Sequence, residues 1–169
     1  TLIGRMKEKL PDVWSAGAYI WNFSWTVAAT KAVKGAFPSC LTVLGGPHVP
    51  NRSEGFFKEH PYVDLLVHGE GEETFAALLS GRSDSGAFPG DLRGASFRTP
   101  EGGFYTTPPR PRVADLNIIP SPFLNGTFDE LMRTHGDKVT GAVWETNRGC
   151  PYSCTFCDWG DSSLTKVKQ

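Results

Sequence analysis

Three cysteines near the end of the sequence have the spacing of a metal-cluster motif. Cys150, Cys154 and Cys157 follow one another as C-x3-C-x2-C. Three thiolates on one short loop can ligate three irons of a cubane 4Fe-4S cluster. The fourth iron is then left without a protein ligand, and a substrate or cofactor can chelate it. The spacing therefore predicts a 4Fe-4S cluster with one open iron.

Two other kinds of metal site use cysteines at comparable spacing. A structural zinc site has four ligands, commonly in two pairs, and only Asp158 or the distant His135 could complete one in this sequence. A ferredoxin cluster takes four cysteines, commonly as C-x2-C-x2-C-x3-C. The remaining cysteine, Cys40, lies in a predicted core strand, where a small buried apolar side chain is the simpler interpretation. The open cluster is the favoured interpretation, with the other two as alternatives.

The segment Asn147–Cys157 resembles the motif of the radical S-adenosylmethionine (SAM) superfamily, including the aromatic Phe156 directly before the third cysteine. A strand predicted over Val139–Glu145 precedes this loop, as a strand does in the partial (β/α) barrel of that superfamily. The resemblance implies that the open iron binds the amino and carboxylate groups of SAM. One electron from the cluster then cleaves the sulfonium and yields a 5′-deoxyadenosyl radical. The resemblance also implies an external one-electron donor such as flavodoxin or ferredoxin.

Short alternating strands and helices precede the cysteines. The predicted strands are Val13–Trp21, Cys40–Leu44 and Val63–Val67, and the predicted helices run from Trp25 to before Pro38, Ser53–Glu59 and Glu73–Leu79. This alternation predicts an α/β fold, a Rossmann-like parallel sheet with flanking helices and right-handed crossovers. Parallel sheets bind ligands at the carboxyl ends of their strands. The corresponding loops are Trp21–Ser24, Gly45–His48 and His68–Glu72.

The composition changes after residue 81. Ala95–Arg98 and Phe104–Thr106 predict a small hairpin, and five prolines between residues 108 and 122 predict an extended linker. We therefore expect a Rossmann-like domain with a hairpin extension over residues 1–107 and a linker over 108–137. Residues 138–169 would begin a radical SAM domain, with the first strand and cluster loop of a truncated partial barrel. Because the sequence lacks an initiator Met and ends shortly after Cys157, we expect an inactive fragment.

The loop motifs upstream of the cluster resemble those of the cobalamin-binding subclass of the radical SAM superfamily. They are Tyr19–Ser24, Leu44–His48 and His68–Glu73. In that subclass a Rossmann-like domain precedes the barrel and holds cobalamin over its strand ends. The resemblance implies that the cobalamin-binding residues are Ser24, Gly45, Gly46, Gly69, Glu70 and Gly71. A glycine pair lacks the Cβ atoms that would collide with the nucleotide tail of the cofactor.

Several residues in these loops have simpler explanations. His48 and His68 do not lie in the D-x-H-x-x-G context of an axial cobalt ligand, and ordinary hydrogen bonding explains them equally well. The glycine pair could be only a tight turn. Trp14, Trp21 and Trp25 are interpreted as packing residues. For Gly46 itself, we expect that replacement by valine would cost cobalamin affinity far more than fold stability.

The resemblance as a whole implies a cobalamin-dependent radical SAM enzyme that transfers a methyl group to an unactivated carbon of a small-molecule substrate. The alternative is a nucleotide-binding or electron-transfer module with a structural or redox cluster. The formal net charge of -1 argues against nucleic-acid binding. No apolar run approaches the roughly 20 residues of a membrane span. Sparse cysteines clustered in one motif favour a reducing compartment, the cytoplasm.

Overall fold

The fold is described from a computed structural model, which covers residues 1–81, 88–99, 101–143, 148–149 and 155–156. The chain divides into two compact units, Thr1–Arg112 and Val113–Gln169. Each unit is described by itself. The functional domain limits inferred from the sequence stay a prediction.

The first unit is built on a five-stranded sheet in the order β1-β2-β3-β4-β5. The strands are β1 (Val13–Gly17), β2 (Leu41–Gly45), β3 (Leu65–Val67), β4 (Ala95–Arg98) and β5 (Phe104–Thr106). The first three strands are parallel, whereas β4 and β5 are antiparallel to their neighbours. The predicted parallel sheet is therefore confirmed over β1 to β3. The predicted hairpin forms at the predicted residues and extends the same sheet.

Helices pack on both faces of this sheet, as the Rossmann-like prediction requires. They are α2 (Phe23–Ala36), α3 (Ser53–Glu59) and α4 (Glu72–Gly81), while the short helix α1 (Leu2–Met6) contacts α2. Phe57 of α3 packs with Leu66 in one apolar cluster, while Leu78 of α4 packs with Leu65 in another. Successive side chains of a strand point to opposite faces. The adjacent leucines of β3 therefore pack against helices on opposite faces of the sheet. This arrangement explains why β3 is buried along its whole length.

Strand β1 is shorter and more exposed than its apolar sequence predicts. It ends at Gly17 rather than at Trp21, and Ser15 and Gly17 are exposed. Among the described strands it pairs with β2 alone, so it lies at the edge of the sheet. The side chain of Asn22 ends the strand, because its Oδ1 accepts from Tyr19 N at 2.8 Å and its Nδ2 donates to Gly17 O at 3.1 Å. The prediction of a buried strand was wrong for this element.

Asp64 ties together the amino-terminal ends of β2 and β3. Its Oδ2 accepts hydrogen bonds from Thr42 N at 2.8 Å, from Thr42 Oγ1 at 2.9 Å and from Lys34 Nζ at 2.7 Å. Lys34 Nζ also donates to the carbonyl of Cys40 at 2.9 Å, which fixes the end of α2 to the start of β2. Cys40 is fully buried, and its interpretation as a small core residue is confirmed.

The second unit contains the helix α5 (Asp129–His135) and two 3-10 segments, Leu116–Ile118 and Gly136–Lys138. The strand predicted over Val139–Glu145 is not formed at residues 139–143, and residues 144–147 lie outside the described part. A strand needs a hydrogen-bonded neighbour, and within the described residues of this unit no strand lies beside it. No described helix is both long and apolar enough to cross a bilayer.

Candidate functional site

The three predicted ligand loops lie along one edge of the sheet. Parallel pairing places Gly17 opposite Gly45 and Leu44 opposite Leu66. The chain therefore leaves β1, β2 and β3 at the same, carboxyl edge. This confirms the expected topology and brings the predicted glycines to the place where parallel sheets bind ligands.

Gly46 is required by the fold of this edge. Its φ is +104°, and a Cβ at this position would lie 2.8 Å from the carbonyl oxygen of Ala18 and 3.1 Å from its nitrogen. Ala18 cannot easily move, because its N–H donates to Gly45 O at 2.6 Å and its carbonyl accepts from His48 N at 3.0 Å. The expectation that Gly46→Val would spare the fold is therefore wrong. A test of cofactor clearance needs a different glycine.

Gly69 offers that position in the loop after β3. Its φ is +67°, and no described atom lies within 4 Å of where its Cβ would be. The neighbouring predicted residues are closer to the strand: a Cβ at Gly71 would lie 3.3 Å from Val67 Cγ1, and one at Gly45 would lie 3.5 Å from Val67 Cβ. A Cβ at Gly69 would thus meet no described atom, and the cost of a substitution there comes from its positive φ alone.

Glu70 forms an ion pair within the first unit. Its Oε1 lies 3.2 Å from Arg112 Nε, and the two side chains are only 17% and 23% exposed. Arg110, two residues before Arg112, makes two similar contacts. Its Nε donates to Thr74 Oγ1 at 2.9 Å, and its Nη1 lies 4.0 Å from Glu73 Oε2. Through these contacts, residues 110–112 bind to the loop after β3 and to the start of α4. This geometry gives Glu70 a role in holding the loop.

The two histidines of the edge make ordinary interactions. His68 Nε2 lies 2.7 Å from Ser96 Oγ, and burial lowers the pKa of His68 below its usual range. The imidazole is therefore favoured in its neutral form. His48 is exposed and packs edge-on against Phe23, with ring centroids 4.6 Å apart. No cluster of three or more potential metal ligands occurs within the described residues.

The aromatic residues near this edge divide into two kinds. Trp14 is partly buried, and its Nε1 donates to Thr30 Oγ1 at 3.0 Å, which confirms its interpretation as a packing residue. Trp21 and Trp25 are 78% and 62% exposed, and the ring of Trp21 stacks on that of Tyr19 with centroids 4.7 Å apart. Their interpretation as packing residues stays a prediction. Ser24, the predicted polar contact, lies exposed in the first turn of α2. Both tryptophans belong to the aromatic stretch Tyr19–Trp25, which contains no charged residue and follows β1.

The predicted cluster ligands Cys150, Cys154 and Cys157 lie outside the described residues. Phe156, which precedes the third cysteine, is described and is 91% exposed. The assignment of the three thiolates stays a prediction from their spacing.

The sequence is similar to a segment of larger enzymes. It is 42% identical over 161 residues to the cobalamin-dependent radical SAM methyltransferase TokK of Streptomyces tokunonensis, covering 94% of this chain and 24% of TokK. It is 43% identical over 162 residues to 2-(S-pantetheinyl)-carbapenam-3-carboxylate methyltransferase of Streptantibioticus cattleyicolor, covering 94% of this chain and 23% of that enzyme. The chain thus spans about a quarter of the length of these relatives. No protein-family model matches it.

The fold has a counterpart among solved structures. The chain superimposes on the cobalamin-dependent SAM radical enzyme OxsB, solved with aqua-cobalamin and SAM bound, with a TM-score of 0.68 and 22% identity. The match covers 99% of this chain and 22% of OxsB. At this identity the likeness establishes the fold, a Rossmann-like α/β sheet with flanking helices.

Proposed function

We propose that this chain, which belongs to the cobalamin-dependent radical SAM superfamily, holds cobalamin at the carboxyl edge of its sheet and carries the cluster loop of a methyltransferase. The observation that supports this most strongly is the shared edge of the three loops that follow β1, β2 and β3. Two of these loops contain glycines with positive φ, Gly46 and Gly69. The sequence likeness to cobalamin-dependent enzymes extends over the same loops.

The residues of this edge suit a broad, flat cofactor. A corrin needs a wide surface and close approach of backbone, and glycines supply that approach. The space above Gly69 is open, and large apolar side chains of the loop after β1 face solvent. Since His68 Nε2 is hydrogen-bonded to Ser96, we do not assign that nitrogen as a cobalt ligand. Cobalamin, when bound, supplies the carrier of the transferred methyl group.

The donor set of the second unit suits a 4Fe-4S cluster with one open iron. Cys150, Cys154 and Cys157 supply three thiolates, and a cubane cluster has four irons. The cluster supplies the electron that cleaves SAM. In this proposal the three cysteines hold the irons and leave the fourth accessible to the amino acid moiety of SAM.

The remaining parts of the proposal concern partners and location. We propose a small-molecule substrate, methylated at an unactivated carbon, and an external one-electron donor such as flavodoxin or ferredoxin. A cytoplasmic location suits an oxygen-sensitive cluster and a chain with four cysteines, three of them in one motif.

A matched pair of glycine variants tests cobalamin binding in the full-length enzyme. Gly69 and Gly102 both have positive φ, +67° and +83°, and no described atom lies within 4 Å of either Cβ position. Gly69→Leu and Gly102→Leu therefore impose similar backbone strain, but only Gly69 lies at the carboxyl edge. We expect Gly69→Leu to lose bound corrin, measured by visible absorbance after reconstitution, and Gly102→Leu to retain it.

Three outcomes of this experiment are informative. Loss of corrin from Gly69→Leu alone supports the proposed edge. Equal retention in both variants would remove the loop after β3 from the cofactor site. A wild-type enzyme that bound no corrin but retained a nucleotide would favour the alternative function, a nucleotide-binding or electron-transfer module.

A further inference from the structure

We propose that Arg110 and Arg112 position the segment after β5 against the loop after β3, so that cobalamin binding and the ordering of this segment stabilise each other. The segment, residues 108–112, is termed the arginine clamp below. The inference rests on the proposed binding of cobalamin at the loop after β3. It goes beyond that binding, because it assigns a role to a part of the chain outside the three ligand loops.

The backbone of the arginine clamp is poorly suited to hold itself in place. Three of its five residues are prolines, which carry no N–H group and cannot donate to a strand ladder. A backbone bond anchors its start, because Gly94 N donates to the carbonyl of Pro108 at 2.9 Å. Beyond that point Pro109 and Pro111 are exposed, whereas both arginines are partly buried. The position of the clamp therefore depends on its arginine side chains.

Arg112 connects the clamp to the loop after β3. Its Nε lies 3.2 Å from Oε1 of Glu70, and the two side chains are 23% and 17% exposed. This partial burial shields the ion pair from solvent and makes it stronger than a pair on the open surface. Glu70 lies between Gly69 and Gly71, two of the residues predicted to bind cobalamin. A cofactor that orders this loop therefore also orders the partner of Arg112.

Arg110 connects the clamp to the start of α4 through a buried hydroxyl. Its Nε donates to Thr74 Oγ1 at 2.9 Å, and Thr74 Oγ1 donates to the carbonyl of Arg93 at 2.9 Å. Thr74 is fully buried. Gly94 makes room for this contact, because a Cβ there would lie 3.0 Å from Thr74 Oγ1 and 3.3 Å from Arg110 Cβ. Loss of the hydroxyl would take a partner from both the guanidinium and the carbonyl.

These contacts make cobalamin affinity and the order of the clamp reciprocal. A ligand that stabilises the closed clamp must bind more tightly when the clamp is closed. When opening and closing are faster than cleavage, the rate of proteolysis measures the fraction of chains in which a segment is open. Trypsin cleaves after Arg112 but not after Arg110, because Pro111 follows Arg110. Cleavage of the bond after Arg112 therefore measures the opening of the clamp.

The test is tryptic digestion of the full-length enzyme with and without hydroxocobalamin. Mass spectrometry identifies the fragments, and visible absorbance measures how much corrin is bound. We expect saturating hydroxocobalamin to slow cleavage after Arg112 at least about fivefold, the lower end of ordinary coupling between two sites. Cleavage after Arg5 is the control, because Arg5 is exposed in α1, which precedes β1. Its rate should not depend on cobalamin.

A matched pair of variants tests whether the clamp carries the coupling. Thr74→Val keeps the shape of the side chain and removes the hydroxyl that holds Arg110. Without cobalamin, we expect its cleavage after Arg112 to be about three- to tenfold faster than in the wild type, as the loss of one hydrogen bond implies. Bound cobalamin should then give little protection. Thr74→Ser keeps the hydroxyl and should behave as the wild type does.

Each contrary result has a distinct meaning. If bound cobalamin leaves cleavage after Arg112 unchanged in the wild type, the coupling is overturned and the proposed function stands. If Thr74→Val keeps the full protection when corrin is bound, the cofactor shields the bond directly, and the role of the clamp is overturned. A wild type that binds no corrin overturns the proposed function as well. If Thr74→Val loses its thermal unfolding transition, Arg110→Met decides by the same comparison.

Discussion

The glycines of the carboxyl edge differ in what they do for the fold, and alanine substitutions should separate them. At Gly46, alanine meets two costs. The positive φ costs about 1–3 kcal/mol for a residue with a Cβ. A Cβ 2.8 Å from the Ala18 carbonyl oxygen adds an overpacking cost of about 1–3 kcal/mol. We expect Gly46→Ala to lower the free energy of unfolding by about 2–6 kcal/mol, the sum of these two contributions.

The two other glycines provide graded controls. Gly69→Ala meets the conformational cost alone, about 1–2 kcal/mol, because the space around it is open. Gly45 has no positive φ, and its Cβ would lie at an ordinary 3.5 Å from Val67 Cβ. Gly45→Ala should therefore change stability by less than about 1 kcal/mol, in either direction.

Urea denaturation followed by circular dichroism measures this series. The predicted order of destabilisation is Gly46, then Gly69, then Gly45. A Gly46→Ala chain as stable as Gly45→Ala would refute the clash with Ala18. The same series matters for function. A change in cobalamin affinity in a Gly46 variant can be interpreted only if the change in its free energy of unfolding is known.

Three further predictions concern polar groups of the first unit. Asp64→Asn should lower the free energy of unfolding by about 2–4 kcal/mol, because it removes a charged acceptor of three hydrogen bonds; urea denaturation measures this. Burial lowers the pKa of His68, so its imidazole takes up a proton when the chain unfolds in mild acid. The free energy of unfolding should therefore fall as the pH drops below 6.5, the ordinary pKa of histidine. Urea denaturation at pH 7 and at pH 5 tests this. Glu70→Gln and Arg112→Met should each weaken cobalamin binding about three- to tenfold, and the double variant should be no worse than either, because both act through one ion pair.

Each of these predictions has a control and a contrary result. Glu54→Gln removes an ion pair whose side chains are 67% and 65% exposed, so it should leave the free energy of unfolding nearly unchanged. An Asp64→Asn variant that is no less stable than Glu54→Gln would contradict the first prediction. In His68→Asn, the free energy of unfolding should depend less on pH than in the wild type. If the wild type and the variant show the same pH dependence, other groups cause it. If Glu70→Gln weakens binding and Arg112→Met does not, Glu70 acts directly on the cofactor.

Hydropathy and turn residues predicted much of the sheet. The hairpin strands Ala95–Arg98 and Phe104–Thr106 formed at the predicted residues, because the glycines between them mark the turn. Helix α3 also formed over the predicted range, Ser53–Glu59. In these elements local sequence and tertiary packing favour the same boundary.

The loop after β1 shows where such reasoning stops. The apolar run continues through Trp21, and its hydropathy favours a longer strand. The strand ends at Gly17 because the side chain of Asn22 hydrogen-bonds to two backbone groups. A hydropathy pattern does not predict that a side chain will hydrogen-bond to backbone groups and so end a strand. It also could not reveal that the tryptophan beyond the turn faces solvent.

The sequence predicted where the candidate site lies, but it did not predict the contacts that its residues make within the fold. Glycines and polar residues were correctly placed at one edge by the parallel topology. The partner of Glu70 is Arg112, 42 residues further along the chain, and no local pattern indicates that pairing. Gly46 likewise serves a turn against Ala18, a contact that only the folded chain creates.

The most direct test of the central proposal is the spin-resonance spectrum of the full-length enzyme, reconstituted anaerobically with iron, sulfide and cobalamin and then reduced. With an open iron held by Cys150, Cys154 and Cys157, addition of SAM should change the signal of the reduced cluster. The corrin should remain bound, as judged by its visible absorbance. A cluster signal that SAM leaves unchanged, or a protein that retains its cluster after Cys154→Ala, would contradict the account.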